Sequence, residues 1–399
     1  MAVIVQKYGG TSVGDAERIR TVARRVARTR LAGNDVVVVV SAMGHTTDQF
    51  VDLSRQVSSN DHPREMDMLL TAGERISMAL LAMAIRDLGV EAVSLTGSQA
   101  GIITNTVHGR AEIEEVRAFR VKEHLDKGDV VIVAGFQGVS ATSKEITTLG
   151  RGGSDATAVA MASYLQADAC EIYTDVDGVF TADPRVVPEA RKLDEVSFEE
   201  MAELAAAGAG VLMLRSVEMG QHWGVPLHVR SSFHDGEGTW VRKATGGPAR
   251  LAGVAHDPDQ ALVGLAGGTD AGVVAAALEA AGIGTGTIGT GPAGVGAAVP
   301  RDQAAAAVAA LAALAADEGA GTVTLEEEVG KVSVVGAALR ARPEAGEEVA
   351  GALGRGGIEV LLTASSPLRV SCLVPGARLD EAVRLLHLAL FSPESEEAA

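Results

Sequence analysis

A chain of 399 residues is too long for one ordinary hydrophobic core and implies two or three domains. Apolar residues at 47% against 22% charged mark a globular protein and not a disordered one, and aromatics at only 3% leave the core to aliphatic side chains. A formal net charge of −18, with no run of Lys or Arg, argues against nucleic acid or an anionic membrane as a partner.

In chain order, the N-terminus opens on strand-like "AVIVQKY" with no basic region ahead of an apolar run, so no signal peptide is expected. "VQKYGGTSVGD" (5–15) ends that strand with Lys7, Gly9, Gly10 and a Thr-Ser pair, and runs into a helical "AERIRTVARRV". Glycines and open amides at a helix start suit a phosphate. The order is nevertheless the reverse of a P-loop, in which Lys follows the last glycine. Lys7 reads either as the cation for a phosphoryl group in transfer or as a surface lysine ending a strand. "VVVVVSAMG" (36–44) is a buried strand; Ser41 and "GHTTDQ" (44–49) after it either bind oxyanions or cap the next helix.

The helical stretch 64–89 carries Glu74 and Arg75 among apolar residues, where charges need partners. Either Glu74 meets a substrate ammonium or an internal ion pair forms. "EAVSLTG" (91–97), "DVVIVAGFQG" (129–138) and "CEIYTDVDG" (170–178) repeat the pattern of a β-branched run followed by Gly, Asp, Ser or Thr. Such strands alternating with helices predict an α/β fold with a mainly parallel sheet covered on both faces, its ligands at the carboxyl ends of the strands.

"TTLGRGGSDATA" (147–158) sets Arg151 among Gly150, Gly152 and Gly153, ahead of a helix opened by Ser154 and Asp155. A plain glycine turn has no need of an Arg, whereas an Arg there grips a carboxylate bidentately. "YTDVDGVFTADPR" (173–185) offers Asp175, Asp177 and Asp183 but lacks the Glu that closes a calcium loop. A loop for a nucleotide or Mg²⁺ competes there with an Asp-rich surface turn. His45, His108, His222 and His228 stand singly, without metal-ligand spacing. Cys170 and Cys372 lie far apart, as expected of reduced, buried thiols in a cytosolic protein. The Ala-rich run 303–316 is too short for a membrane span.

Residues 231–253, rich in Gly, Ser and charge, read as a linker. A repeat follows: 261–291 and 331–366 each give strand, loop, helix and strand, then a further strand and helix. Two β-α-β-β-α units imply paired small α+β domains. The tail "SPESEEAA" reads as solvated and disordered.

Taken together, "KYGGTSV", "VVVVVSAMGHTTD", "LLTAGERIS", "SLTGSQAGIIT", "VAGFQGV", "TTLGRGGSDATAVA" and "EIYTDVDGVFTADPR" closely resemble, in this order, the aspartate kinases of the amino-acid kinase family. The likeness covers residues 3 to about 232, and the repeat resembles the tandem ACT domains of that family. The resemblance implies a catalytic domain over 1–232, a linker over 233–258, ferredoxin-like ACT domains over 259–325 and 326–392, and a disordered acidic tail over 393–399. It implies phosphoryl transfer from MgATP to the β-carboxylate of L-aspartate, Mg²⁺ arriving with ATP, in a cytoplasmic homodimer joined through the ACT domains. Lys7, Arg151 and Asp155 would be catalytic. Thr47, Glu74, Arg151 and Ser154 would hold aspartate, Glu74 through the ammonium. Lys7, Gly9, Gly10, Ser41, Thr174, Asp175, Phe180, Asp183 and Arg185 would hold the nucleotide.

Three segments depart from the family pattern. Gly210 and Met213 stand where G-A-K-V-L-H-x-R has Lys and His. "GGTDAG" (267–272) and "IGTGTIGTG" (283–291) replace the D-x-P-G turn and the Asn/Gln-bearing run that holds a feedback amino acid. "IEVLLTASSPLRVS" (358–371) introduces Pro367. Weakened feedback by lysine and threonine is expected.

Overall fold

The computed structural model describes residues 1–244, 249–266, 270–291, 294–318 and 321–391, so the acidic tail expected at 393–399 lies outside the described residues. The chain divides into two compact units: Met1–Val179, Asp194–Phe198 and Val211–Ala244 form one, and Phe180–Leu193, Glu199–Gly210 and Thr245–Ala399 the other.

In the first unit the elements are β1 (Val3–Tyr8), α1 (Ala16–Leu31), β2 (Asp35–Val40), α2 (Thr46–Val57), α3 (Pro63–Arg86), β3 (Ala92–Leu95), β4 (Ile102–Thr104) and β5 (Ile113–Val116). They continue with α4 (Phe119–Asp126), β6 (Val130–Ala134), β7 (Gln137–Ser140), β8 (Ile146–Thr148), α5 (Gly153–Leu165), β9 (Ala169–Thr174) and β10 (Glu195–Ser197). After α6 (Phe198–Ala207), whose residues from 199 on belong to the second unit, come α7 (Leu214–Trp223), β11 (Leu227–Ser231) and β12 (Thr239–Arg242).

The main sheet runs β10-β12-β11-β9-β1-β2-β6-β3, parallel throughout except at β11–β12. Val36 to Val40 are all fully buried, as a strand covered on both faces requires, and the doubly covered parallel sheet expected from the sequence is present. Ile19, Val22, Ala23 and Val26 of α1 recur at helical spacing and pack with Leu81 and Ile85 of α3 in one core. Asp15 caps α1 by accepting the Arg18 amide at 2.9 Å. α3 is long and apolar enough to cross a membrane by length and composition alone. Its buried face carries Asp67 and Glu74 beside Met78 and Leu81, however, and it packs on α1, β3 and β6.

The stretch 129–138 is not one strand. β6 ends at Ala134, Phe136 takes a positive φ of 67°, and β7 starts a second sheet ordered β5-β4-β7-β8. The linker expected over 233–258 is also corrected. Thr239–Arg242 pairs with both β10 and β11, with Thr239 and Val241 buried on one face and Trp240 facing the other way. A further strand already begins at Leu251.

In the second unit the elements are β13 (Leu251–Leu265), α8 (Ala271–Ala280), β14 (Thr287–Gly291), β15 (Gly294–Pro300), α9 (Ala304–Glu318) and β16 (Val323–Gly336). They end with α10 (Ala345–Arg355), β17 (Leu362–Ser365), β18 (Arg369–Pro375) and α11 (Leu379–Phe391). The two copies of the repeat do not meet at a joint near 325/326. β13 and β16 run the length of both copies and pair antiparallel across register shifts around Asp257–Gln260, closing a barrel ordered β13-β15-β14-β17-β18-β16. Each long strand thus completes the sheet of the other copy. Phe180–Leu193 belongs here: Ala182 and Val187 are buried in the core formed with α10 and α11. Thr181 donates or accepts a 2.9 Å hydrogen bond with buried His387. Of "GGTDAG", residues 267–269 lie outside the described residues, while Asp270 caps α8 by accepting the Gly272 amide.

Candidate active site

Lys7 is the penultimate residue of β1, level with Val39 of β2 and Ile172 of β9, so its side chain leaves the sheet at the carboxyl edge. There its Nζ lies 2.6 Å from Asp155 Oδ1, both side chains largely buried. Asp155 sits in the first turn of α5, where the helix dipole favours an anion. A buried pair of this kind persists only when both charges are satisfied, and it leaves an ammonium aimed at the helix start.

Gly9 and Gly10 leave this edge open. A Cβ on Gly9 would stand 3.6 Å from Lys7 Nζ, and one on Gly10 would stand 2.9 Å from the Ala42 carbonyl and 3.0 Å from that of Gly44. The close packing of the two loops is sealed by the Gly44 amide donating to the Gly10 carbonyl at 3.0 Å. The Ser41 hydroxyl donates to Ser154 Oγ at 3.0 Å, tying the end of β2 to the start of α5.

Glu74 is 3% exposed. One carboxylate oxygen accepts the Ala42 amide at 3.1 Å, and the other has no partner among the described residues. The internal ion pair with Arg75 does not form among the described residues, although it was one of the two sequence readings. Burial pushes the Glu74 carboxyl up to about 7. A buried carboxylate with an unmet oxygen is a receptor for a cation.

Arg151 stands exposed between Gly150 at φ 74° and Gly152 at φ 71°, both left-handed. A Cβ on Gly152 would be 2.8 Å from Met213 Cβ and closer still to its Cγ, so the turn tolerates only glycine there. Lys7, Gly10, Ser41, Thr47, Glu74, Arg151, Ser154 and Asp155 line one cleft of about 1290 Å³. Thr174 ends β9, next to β1 at the same carboxyl edge, and Asp175 follows it; the two are hydrogen-bonded at 3.1 Å. Phe180, Asp183 and Arg185 fall in the second unit; Phe180 is half-buried, and Arg185 closes on Asp183 at 2.7 Å.

Asp67, Thr148 and His108 form a cluster that the sequence reading passed over. Asp67 is fully buried in the wall of the cleft and accepts from Thr148 Oγ1 at 2.5 Å, His108 Nδ1 at 2.6 Å and the Gly109 amide at 3.1 Å. Asp67 and Glu74 are seven residues apart, hence on one face of α3; that spacing was the available signal. Among the described residues no cluster of three His, Cys, Asp or Glu is placed to hold a metal.

The chain matches the amino acid kinase family over residues 2–231 and an ACT domain over residues 332–390. It is 52% identical to an aspartokinase of Mycolicibacterium smegmatis, over the whole of this chain and 98% of the relative. It is 48% identical to an aspartokinase of Corynebacterium glutamicum, over 97% of this chain and 96% of the relative. The crystal structure of E. coli aspartokinase III in complex with aspartate and ADP (R-state) superposes with a TM-score of 0.81 at 27% identity, covering 98% of this chain and all of that one. The same enzyme in complex with lysine and aspartate (T-state) gives a TM-score of 0.76.

Proposed function

This chain belongs to the amino acid kinase family as an aspartate kinase, and from that premise we propose how its residues carry the reaction. A β-carboxylate oxygen of L-aspartate attacks the γ-phosphorus of MgATP, the bond from that phosphorus to the β,γ-bridging oxygen breaks, and its electron pair leaves with ADP. The products are 4-phospho-L-aspartate and ADP. The nucleophile is already an anion, so no general base is required; positioning and charge neutralisation carry the catalysis.

Lys7 neutralises the transferring phosphoryl group, with Asp155 holding the ammonium in place at 2.6 Å. Gly9 and Gly10 admit the phosphates, and Ser41 and Ser154 border them. Glu74 receives the substrate ammonium, Thr47 borders the same pocket, and Arg151 clamps a carboxylate. Thr174 and Asp175 contact adenine and ribose. Mg²⁺ enters bound to ATP. The observation that carries this reading is the unmet Glu74 oxygen in the cleft that also holds the Lys7–Asp155 pair.

The chain acts in the cytoplasm as a homodimer joined through its ACT domains. It supplies lysine, threonine and methionine synthesis or a specialised aspartate-derived route, with weakened feedback. Gly210 supports a second reading, a scaffold that has lost activity: a Cβ there would meet nothing within 4 Å, so the lysine is missing without any packing reason. Initial rates with L-aspartate, L-glutamate and β-alanine test the assignment. Turnover confined to L-aspartate supports it; equal turnover with β-alanine, which keeps the ammonium but has no α-carboxylate, overturns the role given to Arg151.

A further inference from the structure

Asp67 collects three donors from segments far apart in the chain. Thr148 is the last residue of β8, and Gly109 lies in the turn between β4 and β5. His108 Nδ1 faces the Asp67 carboxylate at 2.6 Å. The Ala111 amide donates to the Thr148 carbonyl at 2.9 Å. A Cβ on Gly150 would come within 3.1 Å of the Gly109 carbonyl, so this turn lies directly against the root of the Arg151 loop. Arg151 itself is exposed between two left-handed glycines and has no ion pair among the described residues. What fixes it is therefore the point where its loop leaves β8 at Thr148, three residues before Arg151.

We propose that Asp67 is a positioning residue for substrate specificity: through Thr148 and the His108–Gly109 turn, it sets the distance between Arg151 and the ammonium site on Glu74. Asp67 and Glu74 share one face of one helix, so α3 acts as the ruler between the two ends of the amino acid. The proposal rests on the reading of Arg151 as the carboxylate clamp and of Glu74 as the ammonium site.

The test measures KM for aspartate, KM for ATP, kcat and the aspartate-to-glutamate preference in Asp67→Asn, Thr148→Val, Thr148→Ser and Arg151→Gln. The expected result is a KM for aspartate raised about tenfold or more in Asp67→Asn and Thr148→Val, with a loosened preference against glutamate. KM for ATP stays within about twofold, and Thr148→Ser, which keeps the hydroxyl, behaves as wild type. A purely structural role would lower the active fraction and leave both KM values alone. If Asp67→Asn fails to fold, Thr148→Val alone decides. An unchanged KM for aspartate in Thr148→Val while Arg151→Gln raises it overturns the proposal and spares the clamp. An unchanged KM in Arg151→Gln overturns the clamp and the proposal with it.

Discussion

Glu74 shows how a single side chain couples burial to recognition. Its carboxyl is raised from 4.5 to about 7 because it is removed from water with one oxygen unmet. The folded-state value lies above the unfolded one, so ionising Glu74 costs the fold as pH rises from about 4.5 through 7, and a bound ammonium offsets that cost. Aspartate binding accordingly releases a proton below pH 7. The expected outcome is a kcat/KM for aspartate that rises through about pH 7 and levels above it, with Glu74→Gln weak and flat. A pH profile of both forms checks this; the same inflection surviving in Glu74→Gln contradicts it. Arg151 was legible in the sequence as a charge that a plain glycine turn does not need, and Lys7 and Glu74 as charges that each kept two readings. Asp67 was not, since its meaning lies in partners at 108, 109 and 148 that only the fold brings near.

At the scale of elements, the β-branched runs and helical stretches announced the main sheet and its helices, since both periodicities are local. The end of the β-branched run of 129–138 at a glycine was announced, but not the second sheet that opens at Gln137: a Phe at φ 67° is held by its surroundings, where its amide donates to Thr157 Oγ1 at 3.2 Å. The glycine turn before α5 invites a sharper prediction. Gly152→Ala meets both left-handed strain, roughly 1–2 kcal/mol, and a collision with Met213. It is expected to lower the melting temperature and raise KM for aspartate. Met213→Ala added to it removes the collision with Cγ but leaves the 2.8 Å approach to Cβ and the strain, so a double-mutant cycle by thermal unfolding gives partial recovery. Full recovery, or none, would contradict this account of the turn.

At the scale of the whole molecule the repeat was plain in the sequence, but the exchange of strands between its copies was not. Two long strands shared by two copies look, along the chain, like a linker followed by two tandem units. Closure of the barrel depends on β14, where a Cβ on Gly289 would collide with the Thr363 carbonyl and one on Gly291 with that of Leu361. These glycines stand in the run that in the family carries the amides for a feedback amino acid. Lysine and threonine, alone or together, are expected to leave the rate unchanged within about twofold at concentrations a hundredfold above a micromolar Kd. Gly291→Ala is expected to destabilise the second unit in thermal unfolding. Strong inhibition by either amino acid in an initial-rate assay would contradict the first expectation, and an unchanged melt the second.

The central claim is that Lys7, opposite Asp155, makes this chain a working aspartate kinase although Gly210 stands in place of a lysine. The most direct measurement is MgATP-dependent formation of aspartyl hydroxamate from aspartate and hydroxylamine, comparing the unmodified chain with Lys7→Ala and Gly210→Lys. The account predicts steady turnover for the unmodified chain, a loss of about 10²-fold or more in Lys7→Ala, and little further gain in Gly210→Lys. A silent unmodified chain that Gly210→Lys switches on would contradict it and identify a kinase scaffold that has given up catalysis.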